Sequence, residues 1–413
     1  MQTFTLIFLI FLFATTITRL WLSYRQVRHI QSHRDQVPAA FAEKISLEEH
    51  QKAADYSTVK LRFGRLGLGW EVCLLLLWTL GGGLNMVDLW WQSYALSPLW
   101  TGIAVILSMT LLMSLLDLPF SLYSTFVIEE RFGFNKMTAK IWLTDLFKSS
   151  LLMLVIGVPL IAMILWLMNQ AGEFWWIYAW TVWTAFSLLM IWAYPAFIAP
   201  LFNKFSALEE GSMKQRIESL LQRCGFTSQG VFIVDGSKRS AHGNAYFTGF
   251  GNNKRIVFYD TLLESLSEDE VEAVLAHELG HFKRNHIKKS LVLSIMMTFG
   301  GFALLAWLMN SAWFYSSLGI ENASTYTALM LFMFVMPVFT FFITPLFSAM
   351  SRKHEFEADD FAKQQSNYRD LVSALVNMYR ENASTLTPDP IHSMFYDSHP
   401  PASIRINHLE AST

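Results

Sequence analysis

The sequence predicts a mainly α-helical, polytopic membrane protein with one small α+β domain outside the bilayer. Hydrophobic residues make up 53% of the 413 residues and charged residues only 15%, whereas soluble proteins carry about 25% charged residues. Seven apolar runs are each long enough to cross a hydrocarbon layer of about 30 Å at 1.5 Å per residue. A long polar insertion separates the fifth run from the sixth.

We expect about seven transmembrane helices, one in each apolar run. The first run has no basic residue ahead of it and no clear small-residue cleavage site, so we interpret it as an uncleaved span and not as a signal peptide. The runs lie at residues 4–22, 66–87, 99–127, 148–169, 174–200, 289–313 and 325–350. They divide the chain into a membrane domain, an insertion, a two-span hairpin and a C-terminal segment, at 1–200, 201–288, 289–350 and 351–413.

Basic and non-basic loops alternate along the chain. The loops before the second, fourth and sixth spans carry Lys and Arg, and so does the segment after the seventh, whereas residues 88–98, 170–173 and 314–324 carry none. The positive-inside rule therefore places the N-terminus outside the cell, and it places the insertion and the C-terminal segment in the cytoplasm.

The insertion has the pattern of a folded domain. Apolar positions at helical spacing predict a helix over 207–223, which Gly225 would cap. Residues 251–253, Gly-Asn-Asn, are typical of a hairpin turn between two strands. Alternating β-branched and aromatic residues predict three strands, at 231–234, 244–249 and 255–259.

A further helix carries the sequence His277-Glu278-Leu279-Gly280-His281. Ser267 and Glu270 form a capping box at its start, and we expect it to continue into the sixth span without a break. Positions i and i+4 share one helix face, so both imidazoles can bind the same ion, while Glu278 can face a water molecule on that ion. This pattern is typical of zinc-dependent hydrolases.

A catalytic zinc ion needs a third protein ligand. His286 lies about 140° from the His281 face of a continuous helix, so it should point elsewhere. The sixth and seventh spans form a hairpin whose cytoplasmic ends should lie together, which makes Glu355 the better candidate. We expect Asp359 to accept the free N–H of a ligating histidine and Arg352 to pair with these carboxylates. The alternative for this segment is a solvated charged turn.

Together these motifs resemble the CAAX prenyl protease 1 family of integral-membrane zinc metalloproteases. The resemblance implies that the spans enclose a chamber with the zinc site at its cytoplasmic side. It also implies cleavage of C-terminal residues from isoprenylated Cys-a-a-X proteins. The matching stretches are the histidine motif, residues 351–359, 129–136, 244–250 and 255–262, and His399-Pro400-Pro401 with Arg405.

The resemblance also implies roles for individual residues. They are His277, His281 and Glu355 as ligands of one zinc ion, Glu278 as general base, Asn244 and Ala245 as contacts to the substrate backbone, and His399 and Arg405 as contacts near the scissile bond or the substrate carboxylate. Pro400-Pro401 would stiffen the loop of His399, a candidate donor to the oxyanion. From the residues alone, an ordinary edge strand and a surface histidine are the alternatives.

The sequence therefore predicts a zinc metalloendopeptidase that acts on a peptide or lipidated protein at the membrane. We expect a monomer in contact with membrane lipid, and the net charge of −2 does not suggest a nucleic acid partner. A bacterial inner membrane is favoured over the endoplasmic reticulum, because residues 410–413 carry no obvious retention signal. The alternatives are an HtpX-like quality-control protease, a transporter with structural zinc, and a non-proteolytic membrane chaperone.

Overall fold

A computed structural model describes residues 2–226, 230–248 and 255–411. The hairpin turn expected at 251–253 lies outside these residues. Over the described residues the protein consists mainly of α-helices with one small mixed sheet, which confirms the predicted fold class.

The described residues contain six helices that are long and apolar enough to cross a membrane, or seven if one bent pair counts as a single span. The bent pair is α2 (Leu47–Trp78) and α3 (Gly83–Gln92), which meet at 46°. Each predicted apolar run overlaps one of these helices, or both helices of the bent pair in the case of 66–87. The others are α1 (Thr3–Ser32), α4 (Pro98–Phe132), α5 (Ala139–Gln170), α6 (Gly172–Phe202), α10 (His286–Met309) and α12 (Thr325–Gln365).

The last of these helices extends well beyond its apolar run. Helix α12 has 41 residues and is therefore about 60 Å long, about twice the thickness of the hydrocarbon layer. The apolar run ends at residue 350, and the remaining turns carry Glu355 and Asp359. The candidate third ligand thus lies on a rigid extension of the seventh span.

The insertion folds around a four-stranded sheet of order β1-β2-β4-β3. Strand β2 pairs in parallel with β4, and the other two pairs are antiparallel. The helix predicted over 207–223 begins only at Ser212. Residues 205–207 instead join the sheet as a strand, which is too short to show an alternating pattern in the sequence. Gly225 has φ +59°, as expected of a capping glycine. The strands are β1 (Phe205–Ala207), β2 (Val231–Val234), β3 (Ala245–Thr248) and β4 (Arg255–Tyr259).

The insertion and the C-terminal segment share one hydrophobic core, although two spans separate them in the chain. Buried residues of this core include Leu220, Phe258, Leu275, Leu375 and Leu409. The two segments therefore form a single folded unit outside the spans. Its helices are α7 (Ser212–Arg223), α8 (Asp260–Ser265), α9 (Glu268–Lys283), α13 (Tyr368–Glu381), α14 (Pro390–Tyr396) and α15 (Ala402–Ala411), and the short α11 (Ala312–Ser316) lies in the loop between α10 and α12.

A polar contact joins this unit to the membrane helices. The Arg239 guanidinium donates to both oxygen atoms of Asp145 on α5, at 2.8 and 2.9 Å. Backbone hydrogen bonds from Lys136 to Arg239 and from Ala241 to Phe134 lie beside it. Asp145 therefore fixes the position of the insertion relative to the spans.

Candidate active site

Helices α9 and α12 pack directly on each other at Gly280 and Ala358. A Cβ atom at Gly280 would lie 2.9 Å from the Ala358 Cα and 3.0 Å from its carbonyl oxygen. A glycine is therefore required for this approach, which brings His277 and His281 against Glu355. The capping box between Ser267 and Glu270 fixes the start of α9.

We expect Gly280→Ala to lower the thermal stability of the protein, although alanine favours a helix by about 1 kcal/mol over glycine. The backbone of Ala358 cannot yield as a side chain can, and overpacking of this kind costs about 1–3 kcal/mol. The measurement is the unfolding temperature in detergent with and without zinc. Gly300→Ala on α10 is the control, because nothing lies within 4 Å of the position of its Cβ. An equal response of the two variants would contradict the expectation.

Three side chains offer ligand atoms that lie within 4.8 Å of one another: His277, His281 and Glu355. The two histidine Nε2 atoms are 3.2 Å apart. Each lies close to a carboxylate oxygen of Glu355, at 3.5 Å for His277 and 3.3 Å for His281. Ligands held about 2.1 Å from a tetrahedral ion are about 3.4 Å apart. The oxygen is Oε2 for His277 and Oε1 for His281, so the two nitrogen atoms and the Glu355 carboxylate have the spacing that one zinc ion requires.

The surroundings of these atoms favour a positive charge. Glu355 and Asp359 are almost completely buried. Their two carboxylates and the guanidinium of Arg405 beside them together carry a net charge of −1. Oxygen Oε2 of Glu355 is buried without a hydrogen bond of good geometry from the described residues. Burial and Arg405 lower the pKa of His277, but the nearby carboxylates of Asp359 and Glu355 outweigh both and raise it to about 9. A cation fits this position.

Asp359 contacts His277 as the sequence predicts. Its Oδ1 lies 2.8 Å from Nδ1 of His277, an arrangement that leaves the lone pair of Nε2 for a metal ion. Arg405, however, is buried and donates to both oxygen atoms of Asp359. Its Nη1 lies 3.4 Å from Glu355. Buried carboxylates of the protein therefore occupy the Arg405 guanidinium, and its expected contact near the scissile bond or the substrate carboxylate stays a prediction.

Arg352 does not pair with Glu355 or Asp359 in the described part of the chain. Its Nη1 donates to the backbone carbonyl oxygens of Ser393, Met394 and Asp397, the last at 2.8 Å. These carbonyls lie at and after the end of α14, where a helix leaves acceptors unsatisfied. Arg352 thus positions the segment that leads to His399.

The helix that carries the histidines does not continue into the sixth span as predicted. Helix α9 ends at Lys283, and Asn285 adopts a left-handed conformation with φ 57° before α10 begins at His286. Asparagine tolerates this conformation better than most residues. The break turns His286 back towards Nδ1 of His281, so the expectation that His286 points away from His281 is wrong, whereas His286 does stay outside the group of His277, His281 and Glu355.

His286 supports His281 through a chain of hydrogen bonds. Its Nε2 lies 2.9 Å from Glu357, and its Nδ1 lies 3.1 Å from Nδ1 of His281. If His286 donates to the carboxylate, its Nδ1 is an acceptor and His281 must donate to it. Nε2 of His281 then has its lone pair free and faces the other ligand atoms. In the sequence, the contact between His286 and His281 could have been indicated by Asn285, because asparagine often ends a helix in a left-handed conformation.

We expect His286→Ala to lower zinc affinity by roughly 10- to 100-fold, the usual effect of removing the hydrogen-bond partner of a ligating histidine. Competition with a chelator would measure the affinity directly. His286→Asn should restore part of it, since an amide oxygen can accept from His281. His354→Phe is the control, because His354 stacks on His286 at 4.0 Å and a phenyl ring preserves the stacking. Unchanged affinity in His286→Ala would exclude the support role.

The remaining predicted site residues lie on different elements. Glu278 is half-buried and has no hydrogen bond or ion pair with the described residues. His399 is exposed, and its Nδ1 lies 2.8 Å from Glu355. Asn244 and Ala245 lie at the start of β3, at one edge of the sheet. Asn244 accepts from the Tyr259 amide, whereas the Ala245 amide donates to the Asn244 side chain.

A cavity of about 700 Å³ opens beside His399. Its walls come from α1, α2, the turn after α13 and the segment that follows α14, and they include Gln26, Tyr56, Lys60 and Tyr379. A peptide whose scissile bond lies at His277, His281 and Glu355, which we call the ligand cluster, therefore has space to extend past His399.

Comparisons with known proteins cover nearly the whole chain. Residues 26–204 match the family described as CAAX prenyl protease N-terminal, five membrane helices, and residues 207–413 match Peptidase family M48. CAAX prenyl protease 1 of Saccharomyces cerevisiae is 34% identical over an alignment of 422 residues, which covers 94% of this chain and 91% of the yeast protein. The CAAX prenyl protease 1 homolog of Oryza sativa subsp. japonica is 43% identical over 71% of this chain and 69% of the rice protein.

The structural comparison agrees over the full length. The crystal structure of S. mikatae Ste24p superposes with a TM-score of 0.90 at 32% identity and covers 99% of both chains. These matches confirm the resemblance drawn from the motifs and the prediction of an enzyme. The chain belongs to the CAAX prenyl protease 1 (Ste24) family and is a membrane metalloendopeptidase of peptidase family M48.

Proposed function

We propose that the protein is a zinc-dependent endopeptidase that cleaves near the C-terminus of prenylated Cys-a-a-X proteins or of other membrane-associated peptides. The observation that supports zinc is the spacing of 3.2–3.5 Å between the ligand atoms of His277, His281 and Glu355. One zinc ion per chain would satisfy them. The curated relatives are named for the prenyl protease activity, which supports the substrate class.

In this proposal Glu278 transfers the protons of the reaction. Zinc, when bound, makes a water molecule acidic and polarises a carbonyl group. Hydrolysis breaks the C–N bond of the peptide. The carbonyl carbon gains the oxygen of water, and Glu278 carries a proton from that water to the leaving amine. His399 is exposed beside Glu355 and is our candidate donor to the developing oxyanion.

We propose that the substrate backbone binds at β3, through Asn244 and Ala245. Strand β3 has β4 on one side only, so its other edge can pair with an extended peptide through backbone hydrogen bonds. Such pairing does not depend on the side chains of the substrate, as a protease with varied substrates requires.

The proposal is tested by metal analysis and by cleavage of a farnesylated peptide. We expect one zinc ion per purified chain and a product that ends in the farnesylated cysteine, identified by mass spectrometry. Removal of zinc should abolish cleavage, and addition of zinc should restore it. Cleavage that persists in the metal-free protein would refute the metal-dependent mechanism. Faster cleavage of the same peptide without its lipid would refute the prenylated substrate class.

We further propose that the catalytic unit faces the cytoplasm and that the N-terminus lies outside, as the distribution of Lys and Arg indicates. A cysteine introduced at position 212, at the start of α7, tests this orientation after Cys73 has been replaced by serine. We expect an impermeant thiol reagent to label Ser212→Cys only in permeabilised cells. Labelling in intact cells would reverse the orientation.

A further inference from the structure

A second, smaller cavity lies next to the one beside His399. It has a volume of about 300 Å³ and lies between α1, α2 and α14. Each of these helices contributes two polar side chains, which are four or five residues apart in the sequence. They are Arg19 and Ser23 from α1, Lys60 and Arg65 from α2, and His392 and Tyr396 from α14. We call this cavity the basic pocket.

The positive charge of the basic pocket is not fully neutralised. Arg19 pairs with Glu71 at 2.9 Å, and Lys60 lies 3.4 Å from Glu129. Arg65 has no carboxylate partner among the described residues. Its guanidinium lies 4.1 Å from the centre of the Tyr24 ring, a contact that orients the cation without neutralising it.

Three polar atoms of the pocket are buried without a hydrogen bond to the described residues. They are Nη1 of Arg65, Oγ of Ser23 and Nδ1 of His392. Buried polar atoms are nearly always paired, and leaving one unpaired costs more free energy when it belongs to a charged group. A guanidinium, a hydroxyl group and an imidazole that border one small cavity suit an anion with several acceptor atoms.

The basic pocket adjoins the cavity beside His399. Lys60, Leu61 and Tyr396 line both cavities. Three extended residues span at most about 11 Å, the length of the segment between the modified cysteine and the C-terminus of a Cys-a-a-X protein. The cavity beside His399 therefore adjoins a pocket suited to an anion. Among the described residues, the Arg405 guanidinium already donates to both oxygen atoms of Asp359, so it is not free to pair with a substrate C-terminus in the same way.

We propose that the basic pocket binds the free C-terminal carboxylate of the substrate, with Arg65 as its main counter-ion. This inference rests on the proposed function. It adds how the enzyme would select a peptide bond at a fixed distance from the C-terminus of the substrate. A peptide that ends in a carboxylate would place its scissile bond at the ligand cluster when its last residue reaches the pocket.

The test compares two farnesylated peptides that differ only in a C-terminal carboxylate or carboxamide. We expect the wild-type protein to prefer the acid in kcat/KM by roughly 10- to 100-fold, as the loss of a hydrogen bond to a charged group would produce. Arg65→Gln should abolish this preference. Gly64→Leu should do the same by filling the pocket without removing a charge, since nothing lies within 4 Å of the Cβ position at Gly64.

Two variants on α2 serve as matched controls. Arg62 is exposed and lies outside the pocket, so Arg62→Gln removes a charge elsewhere. Gly69 has no atom within 4 Å of its Cβ position, so Gly69→Leu adds the same side chain outside the pocket. Both should keep the preference for the acid. Zinc content and unfolding temperature of each variant establish that it is folded.

Equal cleavage of both peptides by the wild-type protein, or a preference that survives in Arg65→Gln, would overturn the proposal. A cleavage rate that depends on anionic phospholipid and loses this dependence in Arg65→Gln would assign the pocket to a lipid headgroup instead. If the wild-type protein cleaves neither peptide, the proposed function fails on its own. The affinities of the zinc-loaded Glu278→Gln protein for the two peptides, each carrying a label, then test whether the basic pocket binds a C-terminal carboxylate.

Discussion

Glu278→Gln should lower kcat/KM for peptide cleavage by roughly a hundredfold to ten-thousandfold and leave the zinc content unchanged. Glutamine keeps the size and polarity of the side chain but cannot accept a proton at neutral pH. Glu278 belongs to neither the ligand cluster nor its hydrogen-bond chains, so the metal site should remain intact. Cleavage of a farnesylated peptide and metal analysis of the same preparation measure the two quantities.

The control for this variant is Glu264→Gln. Glu264 is exposed on α8, the element before the catalytic helix, and its replacement makes the same chemical change away from the site. Cleavage at the wild-type rate in Glu278→Gln would show that another group accepts the proton. Loss of zinc in Glu278→Gln would instead show that Glu278 helps to hold the metal.

The parts of the site that could be predicted from the sequence depend on local periodicity and short connections. His277 and His281 are one helical turn apart, and Gly280 between them permits contact with Ala358. The short hairpin between α10 and α12 brings Glu355 back to them. Each of these relations follows from the spacing of residues along helices whose bounds the apolar runs define. The same reasoning placed Asp359 next to one of the two histidines, which the structure shows to be His277.

The parts that could not be predicted depend on where helices end and on which charges meet in space. A left-handed residue at Asn285 changes the direction of the chain, and it brings His286 and Glu357 to the back of His281. Periodicity assumes a continuous helix and therefore placed His286 on the wrong side. Arg65 stands in a basic stretch of a helix, and only the three-dimensional arrangement shows that it has no carboxylate partner among the residues that the structure describes.

The partner of Arg405 could not be identified from the sequence, because it lies 46 residues away in the chain. The sequence offers several cations near the C-terminus and several carboxylates near Glu355, and spacing does not pair them. Burial decides the question, since a guanidinium inside the protein must lie next to the carboxylates that neutralise it. Asp359 is the carboxylate that neutralises Arg405. A structural role for Arg405 and a substrate-binding role predict different effects of its replacement.

Arg405→Met should therefore lower the free energy of unfolding by about 3–5 kcal/mol, because it leaves the buried carboxylates of Asp359 and Glu355 without their counter-ion. The loss should be largest in the zinc-free protein, where no other cation offsets Glu355. Unfolding temperature and zinc content, measured in detergent with and without added metal, report both effects. The unfolding temperature of Arg405→Lys should lie between those of Arg405→Met and the wild type, since an ammonium group keeps the charge but not the bidentate contact.

The control is Arg380→Met on α13, where a more exposed guanidinium pairs with Glu381 at 3.0 Å and contributes about 0–1 kcal/mol. A substrate-binding arginine would give a different pattern. Its loss would raise KM for the peptide acid and leave the zinc content and unfolding temperature at their wild-type values. That pattern would return Arg405 to the role of a carboxylate contact and remove the reason to seek this contact at Arg65. Destabilisation with loss of zinc would fix Arg405 as the residue that holds Asp359 against His277.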